Sequence, residues 1–242
     1  MKSNRDLSNR IEQLLAHLFT IAFSLVSLVC FSQNLAPRSK FNPVVDDLFN
    51  GRPFMRPPSN VAGEINFNEE WRLTNATLYD EGKKIEGYFA KYNIYFNELD
   101  FSTANGIKAI EGEKVKTFTI HDSIARTFVN AKDFAKDKVL VGFLEVMVTG
   151  QFPLYKFHYV LVKNPDYNPA LNSGSRDTRV YKKNSFYTIS EGKLVELKGK
   201  KKLLLVFGDK ASSVDQFIKE NHLSINEEHD LIEIFNFFNG LK

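Results

Sequence analysis

Residues 87–97 read GYFAKYNIYFN. Tyr88, Ala90, Tyr92, Ile94 and Phe96 fall on one side of an extended chain, and Phe89, Lys91, Asn93, Tyr95 and Asn97 on the other. Successive strand side chains point to opposite faces, so an apolar row backed by an amphipathic one at period two marks a β-strand. The body of the chain is therefore expected to be β.

The same pattern continues on both sides. Upstream, Trp71, Leu73 and residues 76–79 lead into the turn Asp80-Glu81-Gly82. Downstream, residues 99–101, 107–110, 115–120, 139–148, 155–162, 186–189 and 194–197 read as further strands. Asn105-Gly106, Glu111-Gly112, Thr149-Gly150 and Glu191-Gly192 separate them, supplying the positive φ that tight antiparallel reversals need. Phe118, Ile120, Val141, Phe143, Leu144, Val146, Val148, Phe152 and Leu154 are the expected core. Residues 63–208 thus form a mainly β body, an antiparallel sandwich or a barrel-like sheet.

Past Gly208 the period changes. Asp209 is placed to cap a helix over 210–221, with Val214, Phe217 and Ile218 recurring at i, i+3 and i+4. Ser224 and Glu227 have capping-box spacing and open a second helix in which Leu231, Phe235 and Phe238 stack. Residues 209–242 are expected to be a helical hairpin packed on the sheet, making the class α+β.

The N-terminal 32 residues read as an export signal, with Lys2, Arg5 and Arg10 ahead of a nearly charge-free stretch over 14–31. Cleavage after Ser32 is the expected outcome. An uncleaved anchor helix and lipidation at Cys30 stay open, and these are the two routes to membrane contact. Residues 33–62 hold five of the eight prolines and no sustained period, so they form an arm or linker, with Val44, Val45, Leu48 and Phe49 able to dock locally. Cleavage removes the only cysteine, and the mature chain must then stand on its core without disulfides.

Charge excludes a nucleic-acid footprint. The net charge is +3, and the signal carries three cations against two anions, so its loss leaves +2. The run Lys198, Lys200, Lys201 and Lys202 reads as a solvated turn ahead of an apolar stretch. No phosphate-cradling loop and no HExxH spacing is present, and His17, His121, His158, His222 and His229 form no ligand pair, so no metal or cofactor is expected. His158 reads as a strand histidine. His121-Asp122-Ser123 contains the residue types of a hydrolytic triad, but adjacent side chains diverge. Glu98 and Asp100 share a strand face, the minimum for a glycosidase pair and equally what a solvated strand face shows. No catalytic residue is assigned.

A long polar loop over 163–183 is the main candidate for binding, because loops of that length often carry contacts. Asp166, Tyr167, Asn168, Arg176 and Arg179 are its candidate residues, with Tyr167 and Arg176 as anchors of the kinds enriched at interfaces.

Residues 92–100 (YNIYFNELD), 150–156 (GQFPLYK), 165–173 (PDYNPALNS), 217–223 (FIKENHL) and the closing helix over 230–240 resemble a group of exported, functionally uncharacterised proteins common in the Bacteroidota. The Ser32-Gln33 signal end is also similar to signals of that phylum. The resemblance implies export and the architecture above, and it carries no catalytic residues across. The helical end, in place of a β-rich sorting domain, implies retention in the periplasm or at the periplasmic face of the outer membrane. The leading expectation is a non-enzymatic binding or envelope-associated interaction protein whose partner is an envelope protein, a glycan or an apolar ligand. The rivals are a periplasmic carrier of a lipid or other apolar ligand, with a cavity between sheet and helices, and a glycan-directed hydrolase using Glu98 and Asp100.

Overall fold

The computed structural model describes residues 61–134 and 140–241. The signal, its cleavage or lipidation, and nearly all of the proline-rich arm lie outside the described residues. Within them the chain is mainly β, with helices at the C-terminal end. The strands are β1 (Val61–Ala62), β2 (Arg72–Leu78), β3 (Lys84–Asn93), β4 (Glu98–Thr103), β5 (Gly106–Glu111) and β6 (Val115–His121). They continue with β7 (Arg126–Asn130), β8 (Phe143–Val148), β9 (Leu154–Lys163), β10 (Thr178–Ser190) and β11 (Lys193–Glu196). The helices are α1 (Gly199–Val206), α2 (Ala211–Glu220) and α3 (Glu228–Gly240).

All eleven strands join one sheet in the order β1-β10-β9-β8-β7-β6-β2-β3-β4-β5, with β11 also on β10. Every pairing is antiparallel except β1 with β10. The sheet is not closed, yet it curls. Tyr92 in β3 and Phe143 in β8 are four strand steps apart, roughly 19 Å in a flat sheet, but their ring centroids are 5.4 Å apart. One curled, open sheet thus lays the apolar rows of β2–β4 against those of β6–β8, a mainly β body of the expected class. Tyr92, Phe118, Phe128 and Phe143 fill the concave side, with Phe118 and Phe128 stacked at 4.5 Å.

Two glycines allow this curl. Gly87 has φ +76 and lies in a bulge where Glu86 and Gly87 oppose the single Asn75, whose Oδ1 accepts the Gly87 N–H. Gly142 has φ +131, and a Cβ there would sit 3.1 Å from Phe157 and 3.2 Å from the Tyr92 hydroxyl oxygen. Residues 63–68 form a strap from β1 to the end of β3, fixed by Phe67 N–H to Tyr92 O (2.7 Å) and Ile94 N–H to Ile65 O (2.8 Å). Phe67 on this strap packs edge-on to Phe128 at 5.1 Å.

The helices cover one end of the same sheet face. Val148 and Leu154 from the sheet join Leu203, Phe207, Val214, Ile218, Leu231, Ile234, Phe235 and Phe238 in one buried cluster. Asn239 staples α3 to the β8–β9 turn, its Oδ1 accepting from Phe152 N–H (3.0 Å) and its Nδ2 donating to Phe152 O (2.9 Å). The cavity expected of an apolar-ligand carrier would lie here, where side chains of this cluster meet in direct contact.

Several sequence expectations are corrected. The β3 pattern does not run to Phe96: the strand ends at Asn93 and residues 94–97 turn, with Asn97 at φ +53 and Asn93 Oδ1 accepting from Phe96 N–H. β7 carries no period-two signal, because the strand is short and its only apolar residues, Phe128 and Val129, are adjacent. Val141, expected in the core, is 59% exposed, because the last strand of that run starts only at Phe143. Gly112 has no positive φ, and what requires glycine there is the approach of Asn97, within 2.7 Å of where a Cβ would stand.

At the C-terminal end three helices replace the expected pair. The stretch read as a lysine turn is α1, and its lysines form the solvated face of that helix, with Lys200 Nζ 2.5 Å from Asp215. Asp209 does not cap α2, which follows a 3₁₀ turn over Gly208–Lys210. The Ser224–Glu227 box does not form either. Asp230 reaches back to accept the Ser224 N–H at 2.7 Å.

Candidate functional site

Register decides which polar residues share the concave face. Along β9, Leu154, Lys156, His158 and Val160 alternate onto it. Leu154 belongs to the helix-covered cluster, and Val160 packs against the core under the strap. Lys156 and His158 therefore lie where the two apolar covers leave the face open. Glu145 of β8 pairs with Lys156 and with Phe128, Asn184 of β10 pairs with His158, and Lys182 pairs with Val160. The strands thus deliver Arg126, Glu145, Lys156, His158, Lys182 and Asn184 to one patch.

Except for Glu145, which lies buried behind them, these residues line a cleft of about 280 Å³ together with Lys183. Phe67 and Asn68 of the strap, Ile94 and Ile120 complete its apolar side, and Asp122 stands at the β6–β7 turn. Glu145 is 5% exposed, and a carboxylate that far from water needs partners. It has two: His158 Nε2 at 2.6 Å and Arg126 Nε at 3.7 Å. Arg126 also lies 5.4 Å from the Phe67 ring centroid, and His158 meets the same ring edge-on at 4.8 Å. Lys156 Nζ is held at 2.5 Å by Glu228 at the start of α3. Lys182 bonds Glu64 and, at 3.3 Å, the carbonyl of Asn66, both on the strap. Four cationic or imidazole side chains thus converge, and the carboxylates that hold Lys156 and Lys182 are themselves substantially exposed.

The loop expected to bind is shorter and more self-contained than the sequence suggested. It spans 164–177, because β10 begins at Thr178 and absorbs the rest. Asp166 accepts the Ser175 N–H at 2.7 Å and pairs with Lys163, which together hold its carboxyl below the usual range. Tyr167 donates to Asn172 Oδ1 at 2.8 Å, and the Arg176 guanidinium lies 4.2 Å from its ring centroid. Asn168 caps Ala170 and bridges Ser173. Arg179 is exposed on β10, opposite Lys163. Each of the anchors Tyr167 and Arg176 is engaged with the other, and none of the five residues lines the cleft.

Glu98 and Asp100 do share a face, as expected, but that face is not solvated. They are 2% and 3% exposed. Burial pushes the Asp100 carboxyl up to about 7, Glu98 adds to the rise, and a hydrogen bond from Asn93 and the charge of Lys91 oppose it. Asp100 pairs across β3 with Lys91, so it lies on the sheet face opposite Tyr92 and away from the cleft. His121, Asp122 and Ser123 form no relay: His121 Nε2 contacts Asn75 Nδ2 at 3.1 Å, and Asp122 accepts from the Ser123 backbone. Among the described residues no three His, Cys, Asp or Glu come together to hold a metal ion. No described helix is long and apolar enough to cross a membrane.

The cleft residues went unassigned in the sequence, although two signals mark them. Glu145 is a lone charge inside an apolar strand run, and Lys156 and His158 interrupt the row begun by Leu154. A charge in such a place is either paired or functional.

Fold and site together define a mainly β protein with one curled, open sheet, a helical cap and a charged cleft between cap and strap. No protein-family model, curated protein or solved structure matches the chain.

Proposed function

We propose that the protein is an exported, non-enzymatic binding protein of the cell envelope, resident in the periplasm or at the periplasmic face of the outer membrane, and that it holds a small anionic ligand in the charged cleft. The cleft carries this reading: Arg126, Lys156, His158 and Lys182 converge on rigid strands beside an apolar wall. Sites of this kind combine an apolar surface with a few placed polar groups. The basic, then apolar, leader over 1–32 supports export. The carrier reading is weaker, since sheet and helices meet through packed side chains. The hydrolase reading has the raised Asp100 carboxyl in its favour, but that group lies on the face away from the cleft.

The test is native mass spectrometry of the full chain isolated from its own envelope, beside an Arg126→Ala/Lys182→Ala variant. The expected result is a stoichiometric small adduct on the wild type, released on denaturation and absent from the variant. A wild type without an adduct, or a variant that keeps it, overturns the proposal.

A further inference from the structure

We infer that the cleft takes an acidic saccharide, a sugar ring bearing a carboxylate; this rests on the cleft being the binding site. Three kinds of wall meet within the cleft's 280 Å³. Arg126 and Lys182 supply cations, and Arg126 is half exposed, free to give a carboxylate two N–H donors. Asn184, which the register places opposite His158, and Asp122 supply an amide and a carboxylate that suit hydroxyl groups. Phe67, partly buried on the strap, supplies the apolar surface for a C–H face, with Ile94 and Ile120 buried behind it.

The arrangement argues against other anions. Asp122, paired with Arg72 at 3.4 Å, accepts a hydroxyl and favours a ligand of low charge density, and a sugar acid carries one charge among several hydroxyls. A simple carboxylate leaves the apolar side and Asn184 unused. The volume accommodates a monosaccharide or the end of a chain, and the open mouth leaves room for the remainder.

The test is calorimetric titration of the full chain at low ionic strength with glucuronate, glucose, acetate and sulfate. Glucuronate is expected to bind at least tenfold more tightly than the other three. Arg126→Ala is expected to weaken glucuronate at least tenfold, and Asn184→Ala about threefold with little change for acetate. Asn184 is exposed, and with Arg126 gone His158 still holds Glu145, so the folded state is expected to survive either change. If acetate or sulfate binds as well as glucuronate, the cleft takes simple anions: the saccharide inference falls and the proposed function stands. Glucose binding as tightly as glucuronate, or glucuronate binding that survives both substitutions, overturns the inference. If none of the four binds while the native adduct persists, the saccharide inference alone is lost, and if the adduct is also missing both are lost.

Discussion

The imidazole of His158 and the carboxylate of Glu145 meet at 2.6 Å, on the strip of sheet that neither the helical cap nor the strap covers. This pair separates two apolar clusters on a single face. Its position puts the polar wall of the cleft beside the apolar one formed by Phe67, Ile94 and Ile120. Glu145 is buried while Arg126 is half exposed, so the pair anchors a cation that still reaches solvent.

Replacing Glu145 with Gln leaves His158 and Arg126 without a charged partner. A hydrogen bond to a charged group contributes about 1.5–3 kcal/mol, and a loss in that range is expected. Urea unfolding of E145Q against wild type measures it, and an unchanged midpoint would show that the pair is energetically idle.

Asp100 makes stability depend on pH. Burial raises its folded carboxyl to about 7, above the ordinary 3.8, so between these values the native state holds the proton more tightly than the unfolded chain. Stability is then greatest at the acid end of that window and falls as pH rises toward 7, by an amount on the order of 3–4 kcal/mol if Asp100 titrates alone. Asp100→Asn should flatten this slope and raise the melting temperature at pH 8 relative to wild type. Melting curves from pH 4.5 to 8 decide the matter, and parallel slopes in the two proteins would refute it.

Gly142 holds φ +131 between Phe157 and Tyr92. Alanine there is strained by backbone as well as contact, at a cost of about 1–3 kcal/mol. A drop in the urea midpoint is expected, accompanied by a shift in Tyr92 near-ultraviolet circular dichroism.

Phe235 is fully buried between sheet and helices and lies 5.4 Å from Phe207. Truncating it to Ala is expected to cost about 3–5 kcal/mol. If the cap docks as inferred, hydrogen exchange in α3 should accelerate along with exchange in β9, because Asn239 and Glu228 couple them.

Tyr167 contacts Arg176 and Asn172 within its own loop. Tyr167→Ala should leave global stability within about 0.5 kcal/mol, as surface changes usually do, while proteolysis over 164–177 becomes faster. A large global loss would show that the loop supports the sheet.

The β class of the body, most of its strands, the apolar stripes of α2 and α3 and the turns at Gly82, Gly106, Gly150 and Gly192 are legible in the order of residues alone. Each of these rests on local chemistry: period-two or period-3.6 patterning, or a positive φ that glycine relieves. The sequence also held a readable hint of the cleft in Glu145 and His158, which interrupt apolar rows. The curl of the sheet, the folding of the lysine run into α1, the burial of Asp100 and the meeting of Arg126, Glu145, His158 and Lys182 emerge only in three dimensions. These depend on pairings between strands far apart in the chain. A strand pattern specifies which residues share a face, but not which strands lie beside it or what covers that face. Burial, and with it the Asp100 carboxyl and the cleft, follows from the cover.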